Sequence, residues 1–220
     1  MGYVLVTRVL ILGAGGHAQV VADILLQMHQ AGDAVKPIGY LDDNPQLIGH
    51  SFLGLPVLGK LSELSAIEHE SVIVSIGDNR TRQDIFTALS QSGEKFVIAR
   101  HPRAIIASGV SVGPGSMICA GVIVNPGSVI GINVILNTSC TVDHHNQVGD
   151  HVHIAPGVHL GGEVSIDEGA LVGIGATVMP QRRVGAWSVV GAGALVATDV
   201  PARSVVVGVP ARILRQQTND

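Results

Sequence analysis

From Ile106 to Val196 an aliphatic residue occupies every sixth position: Ile106, Val112, Ile118, Val124, Ile130, Leu136, Val142, Val148, Ile154, Leu160, Ile166, Val172, Val178, Val184, Val190 and Val196. The next position is repeatedly glycine (Gly113, Gly131, Gly149, Gly161, Gly173, Gly185, Gly191), and the fourth after each aliphatic is mostly Val, Ser, Ala or Cys. A period of six is neither the two of a strand nor the 3.6 of a helix, and a sustained fixed period marks a solenoid. One hexad makes a flat face and a corner of a triangular coil. The aliphatic residue points inward and the small residue lets the chain turn. Three hexads close a coil, so residues 18 apart stack at the strand spacing of ~5 Å. Residues 101–220 are therefore predicted to form a left-handed parallel β-helix, its sixteen hexads making a little over five coils. Each buried aliphatic contributes roughly 1.5–3 kcal/mol before entropy is subtracted. The hexads carry no insertion. A smooth prism has no pocket of its own, which places any site in a groove between subunits.

Residues 1–100 follow another grammar. The apolar run Tyr3–Leu12, interrupted by Arg8, predicts a buried strand over Arg8–Leu12 that ends at Gly13. Val20, Val21, Ile24, Leu25 and Met28 recur at helical spacing within Ala18–Met28. Pro37–Leu41 reads as a second strand closed by Asp42-Asp43-Asn44-Pro45, and Ser71–Ile76 as a third closed by Gly77-Asp78-Asn79. Thr81–Ser92 reads as a helix stopped by Gly93, and Phe96–Ala99 as a fourth strand. Alternation of strand and helix implies a small parallel sheet, an α/β domain of Rossmann-like type.

Composition agrees with this division. Charged residues make up 14% of the chain and aromatics 3%, against 28 glycines, which suits closely stacked strands with tight corners. A net charge of -4 with no Lys/Arg run argues against a nucleic-acid surface. No stretch of 18 apolar residues suggests a membrane span. The N-terminal run has no small-residue cleavage site and reads as strand rather than signal peptide. Cys119 and Cys140 form no CxxC pair or disulfide framework, which fits a cytoplasmic location.

Two clusters carry candidate chemistry. Gly13-x-Gly15-x-x-Ala18 follows a strand and opens a helix, and Asp42 ends the second strand, the arrangement of a dinucleotide fingerprint. The direct reading is an NAD enzyme. About four strands leave no room for two mononucleotide halves, so one nucleotide fits better. The second cluster is Asp143-His144-His145, followed by His151, His153 and His159. An outward His with an unperturbed pKa near ~6.5 can serve as a general base. His151 and His159 are expected at the surface. Cys140 falls at an inward position and Cys119 at a corner, so neither reads as a nucleophile.

The hexad array, the closing Val207-Gly208-Val209-Pro210-Ala211-Arg212 and the opening Gly13-Ala14-Gly15-Gly16-His17-Ala18 together resemble the sugar acyltransferases that acetylate nucleotide-linked amino sugars. These are the bacillosamine-pathway and perosamine N-acetyltransferases, with the sialic acid O-acetyltransferases nearby. The resemblance covers nearly the whole chain. It implies an acetyl-CoA-dependent N-acetyltransferase, without a metal, acting by direct transfer on a 4-amino-4,6-dideoxy sugar linked to UDP, GDP or dTDP. His144 aligns with the family's base. Relatives often carry Glu or Asp next, where this chain has His145, and Asp143 precedes the base instead. His153 matches the position contacting the thioester end of acetyl-CoA, and Gly162, Ile174 and Ala192 carry over as further acetyl-CoA contacts. Gly15, Gly16, His17, Asp42, Asp43 and Gly77 carry over as nucleotide-sugar contacts, with Asn79 and Arg80 as additional candidates.

His144 and His153 are nine residues apart, one and a half faces around the prism, so within one chain they point away from each other. They meet only across subunits, which implies a homotrimer with its sites at the grooves. Three other readings stay open: O-acetylation of a free sugar such as sialic acid; a zinc hydratase like the γ-class carbonic anhydrases, using His144, His145 and His153; and a non-enzymatic nucleotide-sugar binding module.

Overall fold

The computed structural model describes residues 6–217, so Tyr3–Leu5 of the N-terminal run lie outside the described residues. The chain divides into two compact units at Pro102/Arg103.

In the first unit, β1 (Thr7–Leu12) pairs in parallel with β2 (Val35–Leu41) on one side and with Ser71–Val74 on the other. Val9, Leu10, Ile11 and Leu12 are all buried, the mark of a strand covered on both faces. Helix α1 (Gly16–Gln30) buries Ala18, Val21, Ile24, Leu25 and Met28. Val20, predicted among them, is turned outward. The second helix, α2 (Asn79–Gln91), begins earlier than predicted because the Asp78 carboxylate accepts from the Thr81 N–H and caps it.

The sheet differs from expectation at its edges. Phe96 makes only an isolated parallel bridge to Val72, not a fourth strand of this sheet. A hairpin, β3 (Ser51–Phe52) and β4 (Leu55–Gly59), joins β2 instead, giving the order β3-β4-β2-β1 and then Ser71–Val74, which is β5. Its two-residue turn is Leu53-Gly54, both with positive φ (52° and 78°). Such a turn suits the twist of paired strands, but Leu at its first position hides the usual turn signal, and Pro56 disguises the strand after it.

The second unit is a left-handed parallel β-helix. Its first face stacks Ile105–Ile106, Ile123–Val124, Thr141–Val142, His159–Leu160, Thr177–Val178 and Leu195–Val196. The second stacks Ser111–Val112, Val129–Ile130, Gln147–Val148, Ser165–Ile166 and Arg183–Val184. The third includes Met117–Ile118, Ile135–Leu136, His153–Ile154, Leu171–Val172 and Val189–Val190, and ends in an antiparallel pair, Ser204–Val207 with Arg212–Gln216. From Ile105 to Val196 the pairings along the coils join residues 18 apart, as in Thr141 with His159, and at the last coil the offset shortens to 16, as in Val189 with Val205. The predicted inward aliphatics are buried from Ile118 to Val196.

The turns work differently from the sequence expectation. The glycine after each aliphatic does not adopt the left-handed backbone. It is small because the next coil passes close over it: a Cβ at Gly113 would lie 2.6 Å from the Gly131 carbonyl carbon, and one at Gly161 2.7 Å from Pro180 N. The left-handed residue comes two positions later and is often not glycine, as at Asn133, Ser139, His145, His151, Glu163, Gln181 and Trp187. Nor are the faces featureless. An open hollow of about 700 Å³ lies on the second face, where Arg183 bridges to Asp167 beside Gln147 and Ser165.

Candidate active site

On the prism, His144 and His145 occupy the corner between the first and second faces, and both are exposed. His145 takes the left-handed conformation (φ 57°), with its N–H bonded to the Pro126 carbonyl. The imidazole of His145 lies on Gly127, one coil before, where a Cβ would come 2.5 Å from its Cδ2. The imidazole of His144 lies on Gly162, one coil after, where a Cβ would come 2.5 Å from Cε1 and 2.6 Å from Nε2. The two rings meet edge to face, Nδ1 to Nδ1 at 3.0 Å, within hydrogen-bond reach. The turn thus aims two adjacent imidazoles in opposite directions along the prism and joins them by one hydrogen bond.

Asp143 does not reach either ring. Its Oδ1 accepts from Asn125 Nδ2 and from the His144 backbone N–H, each at 2.8 Å, and these two bonds hold its carboxyl below the usual carboxylate range. Those two bonds brace the turn that carries His144. Gly162 lies on a different corner from Ile174 and Ala192. It stacks against His144, while Ile174 and Ala192 lie one above the other on the corner between the third and first faces. Gly193, beside Ala192, donates to the Ile174 carbonyl. Ile174 is strongly exposed at 62%. His153 opens a strand of the third face, across the prism from His144, with Nε2 3.2 Å from Asn137 Nδ2.

His159 is exposed and bonds Thr141. His151, expected at the surface, is buried, with its Nδ1 2.9 Å from Nδ2 of Asn133 one coil before. Both thiols are buried. Burial raises Cys119 to about 12 and pushes Cys140 up as well, so neither is a thiolate at neutral pH. Among the described residues, no three His, Cys, Asp or Glu side chains converge as metal ligands, and no helix is long and apolar enough to cross a membrane.

In the first unit, Gly15, Gly16, His17, Asp42, Asp43 and Gly77 line one cleft of about 460 Å³, together with Ser75, Ile76 and Thr81. Gly13 needs its glycine: φ is +103° and a Cβ would crowd the Ser75 carbonyl at 3.3 Å. Gly15, Gly16 and Gly77 do not, since their φ is ordinary and a Cβ on any of them would meet nothing within 4 Å. Three glycines at the cleft wall that the protein's own packing leaves unexplained are the mark of a surface kept bare for something that approaches the backbone closely. Gly15 is the N-cap of α1, which has no side-chain cap and no acidic residue in its first turn, so its leading N–H groups face an electropositive opening.

The two aspartates play structural parts as well. Asp42 accepts from Ala14 N–H (2.7 Å) and Asn44 N–H (2.8 Å), tying the glycine loop to the end of β2, and Asp43 accepts from Leu61 N–H (3.0 Å). His17 is held neutral, its pKa lowered to about 4 by burial and by the charge of Arg82. Asn79 is buried with Oδ1 on Arg82, while Arg80 is exposed. Arg82 itself was missed from the sequence. It is fully buried behind the cleft, its Nη1 donating to the carbonyls of Ile76 (3.0 Å) and Gly77 (3.3 Å). The signal was available: Arg82 lies one turn before Phe86, on the inward stripe of α2, where a charged side chain demands a partner.

A hexad prism bearing an exposed imidazole pair, on a chain that also holds a glycine-walled cleft, has the architecture of the hexapeptide-repeat acyltransferases. The PglD N-terminal domain family matches residues 8–89. The acetyltransferase domain of PglB from Neisseria gonorrhoeae FA1090 is 34% identical, with 94% of this chain and 100% of that one covered at a TM-score of 0.87. GDP-perosamine N-acetyltransferase from Caulobacter crescentus is 36% identical, with 95% and 97% covered at a TM-score of 0.87. Serine acetyltransferase 2 of Arabidopsis thaliana is 36% identical over 146 residues, 62% of this chain and 38% of that protein. The chain spans about a third of the length of the curated relatives it matches. It belongs to the sugar N-acetyltransferase family of hexapeptide-repeat proteins.

Proposed function

We propose that this protein transfers the acetyl group of acetyl-CoA to the 4-amino group of a nucleotide-linked 4-amino-4,6-dideoxy sugar, with His144 as general base. The observation that carries the base is its seating: an exposed imidazole laid on Gly162 and tied through Nδ1 to His145. Acetylation of an amine needs such a group. The amine nitrogen attacks the thioester carbonyl, its proton passes to His144, and the tetrahedral intermediate collapses to amide and CoA thiolate, which takes the proton to leave as the thiol. Backbone N–H groups hold the oxyanion. Transfer is direct, since both thiols are buried and protonated. With His145 in place of a carboxylate, the base is oriented by a second imidazole.

Support for the substrates comes from relatives and cleft together. The Neisseria domain has been solved with acetyl coenzyme A, and the Caulobacter enzyme with CoA and GDP-perosamine. Here, the three open glycines and the uncapped start of α1 suit a diphosphate at the first unit's cleft. This favours a nucleotide-linked acceptor over a free sugar. His153, Ile174 and Ala192, across the prism from His144, would meet acetyl-CoA on a neighbouring subunit of a trimer. In a thiol-release assay with acetyl-CoA and UDP-, GDP- and dTDP-linked 4-amino sugars, one acceptor supports turnover, and His144→Ala lowers kcat by ~10²–10⁴-fold, the usual span for a positioned base, with little change in melting temperature. Undiminished turnover in that variant removes His144 from the mechanism; no turnover with any of the three acceptors removes the substrate class.

A further inference from the structure

We infer that Arg82 is a positioning residue for the nucleotide's phosphates, acting from behind the cleft by fixing the two peptide units that follow β5. This rests on the nucleotide-sugar reading of the cleft. Arg82 is 0% exposed, yet its guanidinium is spent on main-chain carbonyls of the cleft wall: Ile76 and Gly77 through Nη1, with the Asn79 amide oxygen on Nη2 at 2.8 Å. Burying a charged group is costly unless its donors are satisfied, so a guanidinium here is worth keeping only for what it holds.

What it holds follows from peptide geometry. The only cis bond among the described residues is Val209–Pro210, so the peptides after Ile76 and Gly77 are trans, and in a trans peptide the C=O and N–H point in opposite directions. With both carbonyls drawn inward to Arg82, the N–H groups of Gly77 and Asp78 are turned the other way, toward the side on which Ile76 and Gly77 line the cleft. Two successive outward N–H groups form a concave anion seat. Gly77 leaves it uncovered, since a Cβ there would meet nothing. The seat lies in the same cleft as Gly15, Gly16 and His17. His17, kept neutral by burial and by Arg82, can present an N–H to an anion without first binding a proton. Arg82 also keeps a positive charge at neutral pH, so it adds fixed attraction for an anion.

A lysine at this position keeps the charge but cannot hold the two carbonyls and the Asn79 amide oxygen in one planar fork. Titration of the full-length protein with UDP, GDP and dTDP, by calorimetry, finds one that binds the wild type. Arg82→Lys and Arg82→Gln then weaken it by ~10-fold and ~30-fold or more, the span expected when an anion loses two oriented donors. In assays the variants raise KM for the nucleotide sugar and leave KM for acetyl-CoA unchanged. On addition of the nucleotide, the backbone amide resonances of Gly77 and Asp78 move in the wild type and in Arg82→Lys move far less. If no nucleoside diphosphate binds the wild type, the nucleotide reading falls and this inference with it. If one binds, and folded Arg82→Lys binds it equally tightly with the same amide shifts, the cleft reading stands and the role of Arg82 is refuted. Should Arg82→Gln fail to fold, the lysine variant alone decides.

Discussion

Replacing Gly162 by alanine tests the seating of His144 without touching His144. The backbone at Gly162 is outside the left-handed region, so alanine is sterically allowed by the main chain. The new methyl would nevertheless stand 2.5 Å from His144 Cε1 and 2.6 Å from Nε2. Carbon atoms in contact rest at ~3.5 Å or more, so the ring must retreat by about 1 Å. His144 is exposed and free to swing outward, so the displacement costs little stability, and the reduced freedom of the unfolded chain offsets it by ~0.4–1 kcal/mol. A misplacement of ~1 Å in a reacting group can cost ~10²-fold in rate. The expected outcome is a kcat lowered by ~10–10²-fold, KM for both substrates within about threefold, and a melting temperature unchanged or slightly raised. Steady-state thiol release and thermal denaturation on the same preparation read all three. A variant with wild-type kcat refutes the argument that the imidazole works from this seat. So does one whose lost activity tracks a large loss of stability.

His145→Gly separates stability from function at the neighbouring position: relief of the left-handed backbone at His145 stabilises by roughly 1 kcal/mol, while loss of the Nδ1 partner lowers kcat by ~10-fold, read by urea unfolding and steady-state rates. Equal or higher kcat in that variant excludes His145 as the orienting group. His17, its pKa lowered to about 4 from 6.5, binds protons more readily unfolded than folded, so its contribution to stability is complete above pH 6.5 and is lost as pH falls toward 4. The loss is on the order of 3 kcal/mol, and urea midpoints at pH 4.5 and 7 should differ less in His17→Gln than in the wild type.

The prism was legible because its geometry forces a sequence period. One aliphatic must point inward on each face, and sixteen recur in register along the sequence, buried from Ile118 onward. The corners were less legible. Glycine recurs where coils pass closely, which looks like a turn signal, while the true left-handed position accepts Asn, Ser, His, Glu, Gln or Trp and leaves no single mark. The hairpin at Ser51–Gly59 was invisible because a leucine takes the first left-handed place of its turn. The spacing of Gly13, Gly15 and Ala18 marked a nucleotide fingerprint, the family resemblance named six cleft residues, and the structure gathers those six around one opening. The further work of Asp42 and Asp43, and the whole of Arg82's, depends on which backbone groups approach them in space. Gly162 is the plainest case. In sequence it is one glycine among 28, and only its stacking 18 residues after His144 shows what it makes room for.

The sheets of the prism have ends, and the distance from those ends is unequal for different residues. Each coil touches only its neighbours, so opening of such a stack starts at a terminus and works inward one layer at a time. In the first face, two strands precede Thr141–Val142 and three follow it. The turn bearing His144 and His145 is therefore buffered on both sides by coils that can fray without disturbing it. Amide hydrogen exchange should be slowest in the layers around Val142 and Leu160 and quicken toward Ile106 and Val196. The protein would then go on holding its imidazole pair in place while its extremities breathe.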